Sequence, residues 1–305
     1  MGPAMTDTPA RPLTRTQLRR ARRRDDSASA TGAMPAGRLV YVMLAISVLL
    51  SAGPLYYMVV MASRPNSDIS SIPPPLLPGD QLGTNVGRVF DNADVMFAQA
   101  LLNSVLVAGC ATVSVVVLSA LAGFAFAKLP FRGRGALLLV VIGTMMVPVQ
   151  LGLVPLYMLM GKLGLAGSLW SALLPFLVSG FGVFMMRQYA AQAVPTELIE
   201  AARVDGASTT RIFFSIVFPI LRPAAAVLGL LTFMERWNDF LWPYLTLDAE
   251  HPTVQVALSR LSGGYYTDQA LVMAGTLLGT VPLVVVFIVF GRQIIGGIMQ
   301  GGVKG

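Results

Sequence analysis

Two groups of residues in this 305-residue chain have the types and the spacing to do chemistry. The first is Glu200-Ala201-Ala202 with Asp205, Gly206, Ile216 and Pro219 following in a polar stretch between two long apolar runs. An acidic helix start, a glycine stop and an apolar approach to a bilayer make such a segment a docking element. The second is Glu235-Arg236-Trp237-Asn238-Asp239, which sets ionisable and hydrogen-bonding groups inside an apolar run, where charges are expensive and invite a functional reading. Two readings of it stand side by side. Arg236 and Asp239, three apart, share a helix face and neutralise one another. Alternatively, Asn238 and Asp239 line a passage and hydrogen-bond ligand hydroxyls, with Trp237 or Trp242 stacking on a ring.

Other chemistries are excluded by what surrounds their candidate residues. A phosphate-binding loop around Gly161-Lys162 would need a glycine five residues before that glycine and Ser or Thr after the lysine; Leu156 and Leu163 stand there instead. The chain is therefore not expected to be an enzyme, with no catalytic, cofactor-binding or metal-binding residues of its own. The other apolar runs hold almost no carboxylates or histidines, which argues against a proton relay. The single cysteine, Cys110, is read as a small packing residue, and lone His251 as a solvated loop residue.

The elements that must position these groups follow from composition. With 55% hydrophobic and 12% charged residues, the chain belongs in a bilayer. Six apolar segments, near 39–62, 101–127, 136–160, 169–187, 223–247 and 270–291, each approach the ~20 residues that cross the hydrocarbon core as a helix. The expected fold is an all-α membrane protein with six transmembrane helices. The net charge of +7 reflects topology rather than nucleic-acid binding. Most basic residues fall in the N-terminal tail or in alternate connections holding Lys128, Arg132 and Arg134, then Arg187, Arg203, Arg211 and Arg222. Both termini and the polar loop 188–222 are thereby expected on the cytoplasmic side.

Residues 1–37, Arg-rich and without apolar periodicity, are expected to form a disordered cytoplasmic tail against anionic lipid, ahead of a membrane domain over 38–305. Ser119, Gly123 and Ala127 at four-residue spacing, and Gly275 with Gly279, mark faces where helix backbones approach closely. Pro148, Pro155, Pro175 and Pro282 predict kinks within spans. In the polar loop, Pro195 followed by Thr196 and Glu197 predicts a helix start, Gly206 its stop, and Ser208, Thr209 or Thr210 the cap of a second helix.

The run Glu200-Ala201-Ala202, three residues, Gly206, nine residues, Ile216 and then Pro219 resembles the EAA loop of binding-protein-dependent ABC importer permeases, whose pattern is EAA-x3-G-x9-I-x-L-P. Phe218 replaces the usual leucine. Trp237-Asn238-Asp239-Phe240-Leu241-Trp242-Pro243 resembles the WN(D/E)FLWP stretch of the fifth span, and Gly301-Gly302-Val303-Lys304-Gly305 the G-A-V-K-G ending of MalG-type carbohydrate permeases. The resemblance implies a type I importer (MetI-like) permease fold in a bacterial plasma membrane, moving a sugar by alternating access. Glu200, Ala201, Ala202, Asp205, Gly206, Ile216 and Pro219 would then couple to an ATPase dimer that carries ATP and Mg. The other implied partners are a second homologous permease subunit and an extracytoplasmic sugar-binding protein. An ion-coupled carrier of polar solutes is the alternative.

Overall fold

The computed structural model describes residues 37–69, 71–263 and 267–302. The expected tail, apart from Gly37, and Val303-Lys304-Gly305 at the C-terminus lie outside the described residues. The chain divides into two units between Leu55 and Tyr56. The first contributes the beginning of helix α1 (Arg38–Ala62), whose side chains here, among them Leu39, Tyr41, Leu49 and Leu50, are exposed and apolar. A helix of that composition suits lipid as its solvent.

The second unit is helical, with one isolated bridge, Gly167 to Leu247, among the described residues. Its main helices are α2 (Leu82–Asp91), α3 (Phe97–Lys128), α4 (Arg134–Met145), α5 (Leu153–Lys162), α6 (Gly180–Ala193), α7 (Thr196–Val204), α8 (Phe218–Trp237), α9 (Leu241–Thr246), α10 (Val254–Ser262) and α11 (Gln269–Gly302). Among the described residues of the whole chain, α1 included, five helices or joined helices are long and apolar enough to cross a membrane, and six if α4 and the segment Val149–Lys162 count as one bent span.

The centre of the bundle is α3, packed against α6 and α8. Its buried face reads Ser104, Ala108, Ala111, Val115, Ser119, Gly123, a ladder of small residues at three- and four-residue spacing. Between membrane helices, small side chains let backbones approach and dispersion contacts accumulate, since hiding apolar surface from lipid gains little. One core cluster forms around Val115, Phe124, Met186, Phe213, Leu221 and Leu228. A second gathers Val89, Phe97, Trp237, Val254 and Leu271 where α2 and α10 lie on α3 and α11.

Several features depart from the sequence expectation, among them Cys110, which is exposed rather than packed within the bundle. The third apolar segment is not one kinked helix: α4 ends at Met145, Val149–Gly152 forms a 3-10 turn, and the two arms meet at 89°. Pro148 lacks the N–H that would continue α4, and Pro155 falls in the first turn of α5, where a missing donor does no harm. The fifth span starts earlier and ends earlier than 223–247. It runs from Thr209 to Trp237 straight through Pro219 and Pro223. A π-turn over Phe213–Val217 makes this workable: the Phe218 N–H bonds to the Phe213 carbonyl, and the widened turn accommodates the proline that follows. His251 is also not simply solvated, for its Nδ1 lies 2.7 Å from Asp248 Oδ1, which accepts the Glu250 and His251 backbone N–H groups as well.

Candidate functional site

The structure separates the two chemical groups of the sequence into two places. The first is the polar loop. Pro195, with φ −62° and ψ 137°, leads into α7 with Glu197 in the first turn and Arg203 in the last, the arrangement that complements a helix dipole. At its end the Gly206 N–H bonds to the Arg203 carbonyl (3.0 Å) and the Ala207 N–H reaches back to the Ala202 carbonyl (2.9 Å). This double closure needs a left-handed residue between them, and Gly206 supplies it at φ +75°. Ser208 then accepts the Arg211 N–H (3.3 Å) and opens the next helical turn.

The helix is anchored on one side and free on the other. Ile199 and Ala202 are buried in the core cluster with Ala190, Val194, Ile212 and Phe213, whereas Glu200, Ala201, Val204, Asp205 and Gly206 are exposed. Ile216 is half-buried against the same cluster, and Pro219 sits half-buried in the first turn of α8. An exposed helix whose inner face is locked into the bundle can pass a push on its outer face directly to α6 and α8.

The second place is a cleft of about 740 Å³ between the bent α4–α5 pair, the segment Phe176–Phe181 and the end of α8. Val149, Leu153 and Phe176 give it apolar walls; Thr144, Ser179, Thr232, Glu235 and Arg236 add polar groups. A smaller hollow of about 270 Å³ shares Val149, Leu153, Phe176, Glu235 and Arg236 and adds Gln150, Asp239 and Trp242. Arg236 is the hub. Its guanidinium bonds to Glu235, bonds to Asp239 at 3.1 Å and lies 4.0 Å over the Phe176 ring.

The residues of the Trp-Asn-Asp stretch therefore part company. Asp239 reaches the hollow and also accepts the Trp242 N–H (3.4 Å). Asn238 is exposed and donates its amide to the Met234 carbonyl, closing the end of α8. Trp237 faces the other way: it is 1% exposed, stacks on Phe233 and donates its indole N–H to the Gly279 carbonyl of α11 at 3.0 Å. Its role is to clasp α8 to α11, not to line the cleft. Replacing Trp237 with Phe should lower the thermal midpoint of the purified protein by the equivalent of about 1–3 kcal/mol, because the buried indole hydrogen bond and part of the packed ring are lost. An unchanged midpoint would remove the clasp from the account.

Phe176 and Thr232, which line the cleft, carry no local sign in the sequence. Phe176 is an ordinary aromatic until α8 brings Arg236 against it, and Thr232 an ordinary span residue until its neighbours open around it.

A model of the binding-protein-dependent transport system inner membrane component family matches residues 115–295, from the middle of α3 into α11. The chain belongs to that family. Its similarity to individual permeases runs over most of its length. It is 35% identical to the lactose transport system permease protein LacG of Rhizobium radiobacter, over 87% of this chain and 95% of that one. It is 30% identical to the arabinooligosaccharides transport system permease protein AraQ of Bacillus subtilis (88% and 94%). The sn-glycerol-3-phosphate transport system permease protein UgpE of Yersinia pestis is 33% identical (85% and 95%). Among solved structures, a bacterial ABC transporter involved in the import of the acidic polysaccharide alginate matches with a TM-score of 0.73. That alignment has 24% identity and covers 85% of this chain and 96% of the other, so the fold is the one expected for an ABC importer permease. This permease is thus an inner-membrane transport component.

Proposed function

We propose that this permease imports a carbohydrate by alternating access, driven by a separate ATPase dimer whose closure pushes on α7. A second homologous permease completes the pathway, and an extracytoplasmic binding protein delivers the sugar. The observation that carries this reading is the geometry of α7: Glu200, Val204 and Asp205 stand outward while Ile199 and Ala202 are fixed in the core. A connection between spans needs only a few residues, whereas this one builds a capped, one-side-anchored helix. Rigid-body rotation of packed helices is the natural response to a push there.

The distribution of Lys and Arg supports a cytoplasmic α7 and cytoplasmic termini. The relatives named for lactose and arabinooligosaccharide transport support the carbohydrate class. Nucleotide and Mg would bind on the ATPase, since no segment of this chain has the phosphate-loop pattern. The test is uptake of a labelled sugar into proteoliposomes holding the two permeases and the ATPase, with the cognate binding protein added. Uptake should require enclosed ATP. Uptake that persists without ATP under an imposed ion gradient would overturn the reading in favour of an ion-coupled carrier.

A further inference from the structure

Resting on the sugar-import reading, we infer that the cleft of this subunit admits uncharged polyhydroxylated ligands and turns away anionic ones. Arg236 is the lone cation among the described residues that line the cleft and its smaller extension. Both terminal nitrogens and one face of its guanidinium are already engaged. One terminal nitrogen of the fork is held by Glu235, the other by Asp239, and the planar face is laid on Phe176. Only 11% of the side chain is exposed. The end-on pair of terminal nitrogens, one of the edges by which an arginine captures a carboxylate or phosphate, is therefore already engaged within the chain.

The sign of the local charge points the same way. By formal charge two carboxylates face one guanidinium, and the more exposed partner is acidic: the Glu235 side chain is 69% accessible at the edge of the cleft. An anion entering here meets a carboxylate first and must break an internal pair to reach the cation. A neutral sugar needs no such exchange. Its hydroxyls can donate to the lone pairs that Arg236 leaves free on Glu235, and can exchange hydrogen bonds with Thr232 and Ser179. Its apolar faces can lie on Val149 and Leu153, as ligand sites with apolar walls and a few convergent polar groups require.

The experiment uses the complete transporter in proteoliposomes and, separately, the purified permease–ATPase complex without binding protein. In the liposomes, ATP-driven uptake is measured for a panel of neutral disaccharides including lactose and for their uronic-acid counterparts and glycerol 3-phosphate. Neutral members alone should accumulate. In the purified complex, thermal stabilisation by inorganic phosphate is titrated at constant ionic strength. The wild type should show none, whereas E235Q/D239N, which frees the guanidinium and reverses the local sign, should bind phosphate at least about tenfold more tightly. E235Q alone, altering an exposed side chain, should show a smaller gain in the same direction and guards against misfolding of the double variant. Uptake of an anionic member at the rate of the neutral ones, or equal phosphate binding by wild type and both variants, overturns the inference while leaving sugar import standing. ATP-driven uptake of neither class overturns the import reading and this inference with it.

Discussion

Replacing Gly206 with proline is expected to abolish ATP-driven uptake while the protein still inserts in the membrane. Two independent requirements fail at once. Proline fixes φ near −65°, whereas this position sits at +75°. Proline also lacks the N–H that bonds to the Arg203 carbonyl, so the closing turn of α7 loses a bond as well as its conformation. The outer face of α7 would then be displaced although every span is untouched. A graded series makes the prediction sharper. A Cβ at this position would meet nothing within 4 Å, so Gly206→Ala pays only the left-handed backbone penalty of about 1–2 kcal/mol. Uptake should fall in the order wild type, alanine, valine, proline, with ATP hydrolysis by the reconstituted complex declining less steeply than transport. Glu200→Lys tests the outer surface itself. Glu200 is exposed and its side chain forms no hydrogen bond or ion pair within the described residues, so its reversal should leave the fold intact and weaken retention of the ATPase. Full uptake by Gly206→Pro would remove α7 from the coupling path.

The contrast between what the sequence showed and what it hid lies in the range of the forces involved. The helix over 196–204, its stop at Gly206 and the cap at Ser208 were legible because each is set by residues within four or five positions, through backbone hydrogen bonds. The Arg236–Asp239 pair, one of the two readings the sequence left open, rests on the same short range. The 89° bend after Met145 was not, because hydropathy reports that a segment is apolar and says nothing about its direction. The start of the fifth span was hidden because apolarity alone set it at Pro223, whereas the π-turn over Phe213–Val217 lets the helix run on through Pro219 and Pro223. Trp237 shows the limit most plainly. Its neighbours in sequence, Asn238 and Asp239, suggested a passage, but which way a large indole faces is decided by α11, about forty residues downstream, where the Gly279 carbonyl waits for its N–H.

Gly123→Ala should be among the most damaging single-methyl additions in the chain. The smallest side chain would place its Cβ 2.7 Å from the Arg187 backbone nitrogen, the Met186 backbone carbon and the Met186 Cβ. Backbone atoms of a packed helix cannot swing aside as a side-chain tip can, so α3 and α6 would have to separate. Overpacking of this kind costs about 1–3 kcal/mol, and here it falls on the central helix pair of the bundle. The expected result is a marked drop in thermal midpoint and in the amount of folded protein recovered. Gly109 provides the control on the same helix, since a Cβ there meets nothing within 4 Å and alanine should be tolerated. A neighbouring contact allows a double-mutant cycle. A Cβ at Gly182 would lie 2.4 Å from Ser119 Oγ and 3.2 Å from Ser119 Cβ. Gly182→Ala should therefore be rescued in part by Ser119→Gly, whereas Gly123→Ala, blocked by backbone, should not be rescued by any single truncation across the interface. The same contact matters for transport. Only Val194 and Pro195 separate α6 from α7, so on the proposed coupling a push on α7 would enter the bundle through α6 resting on α3. If Gly123→Ala folds and transports normally, that close approach is neither structural nor mechanical, and the route from α7 into the bundle must run through α8 alone.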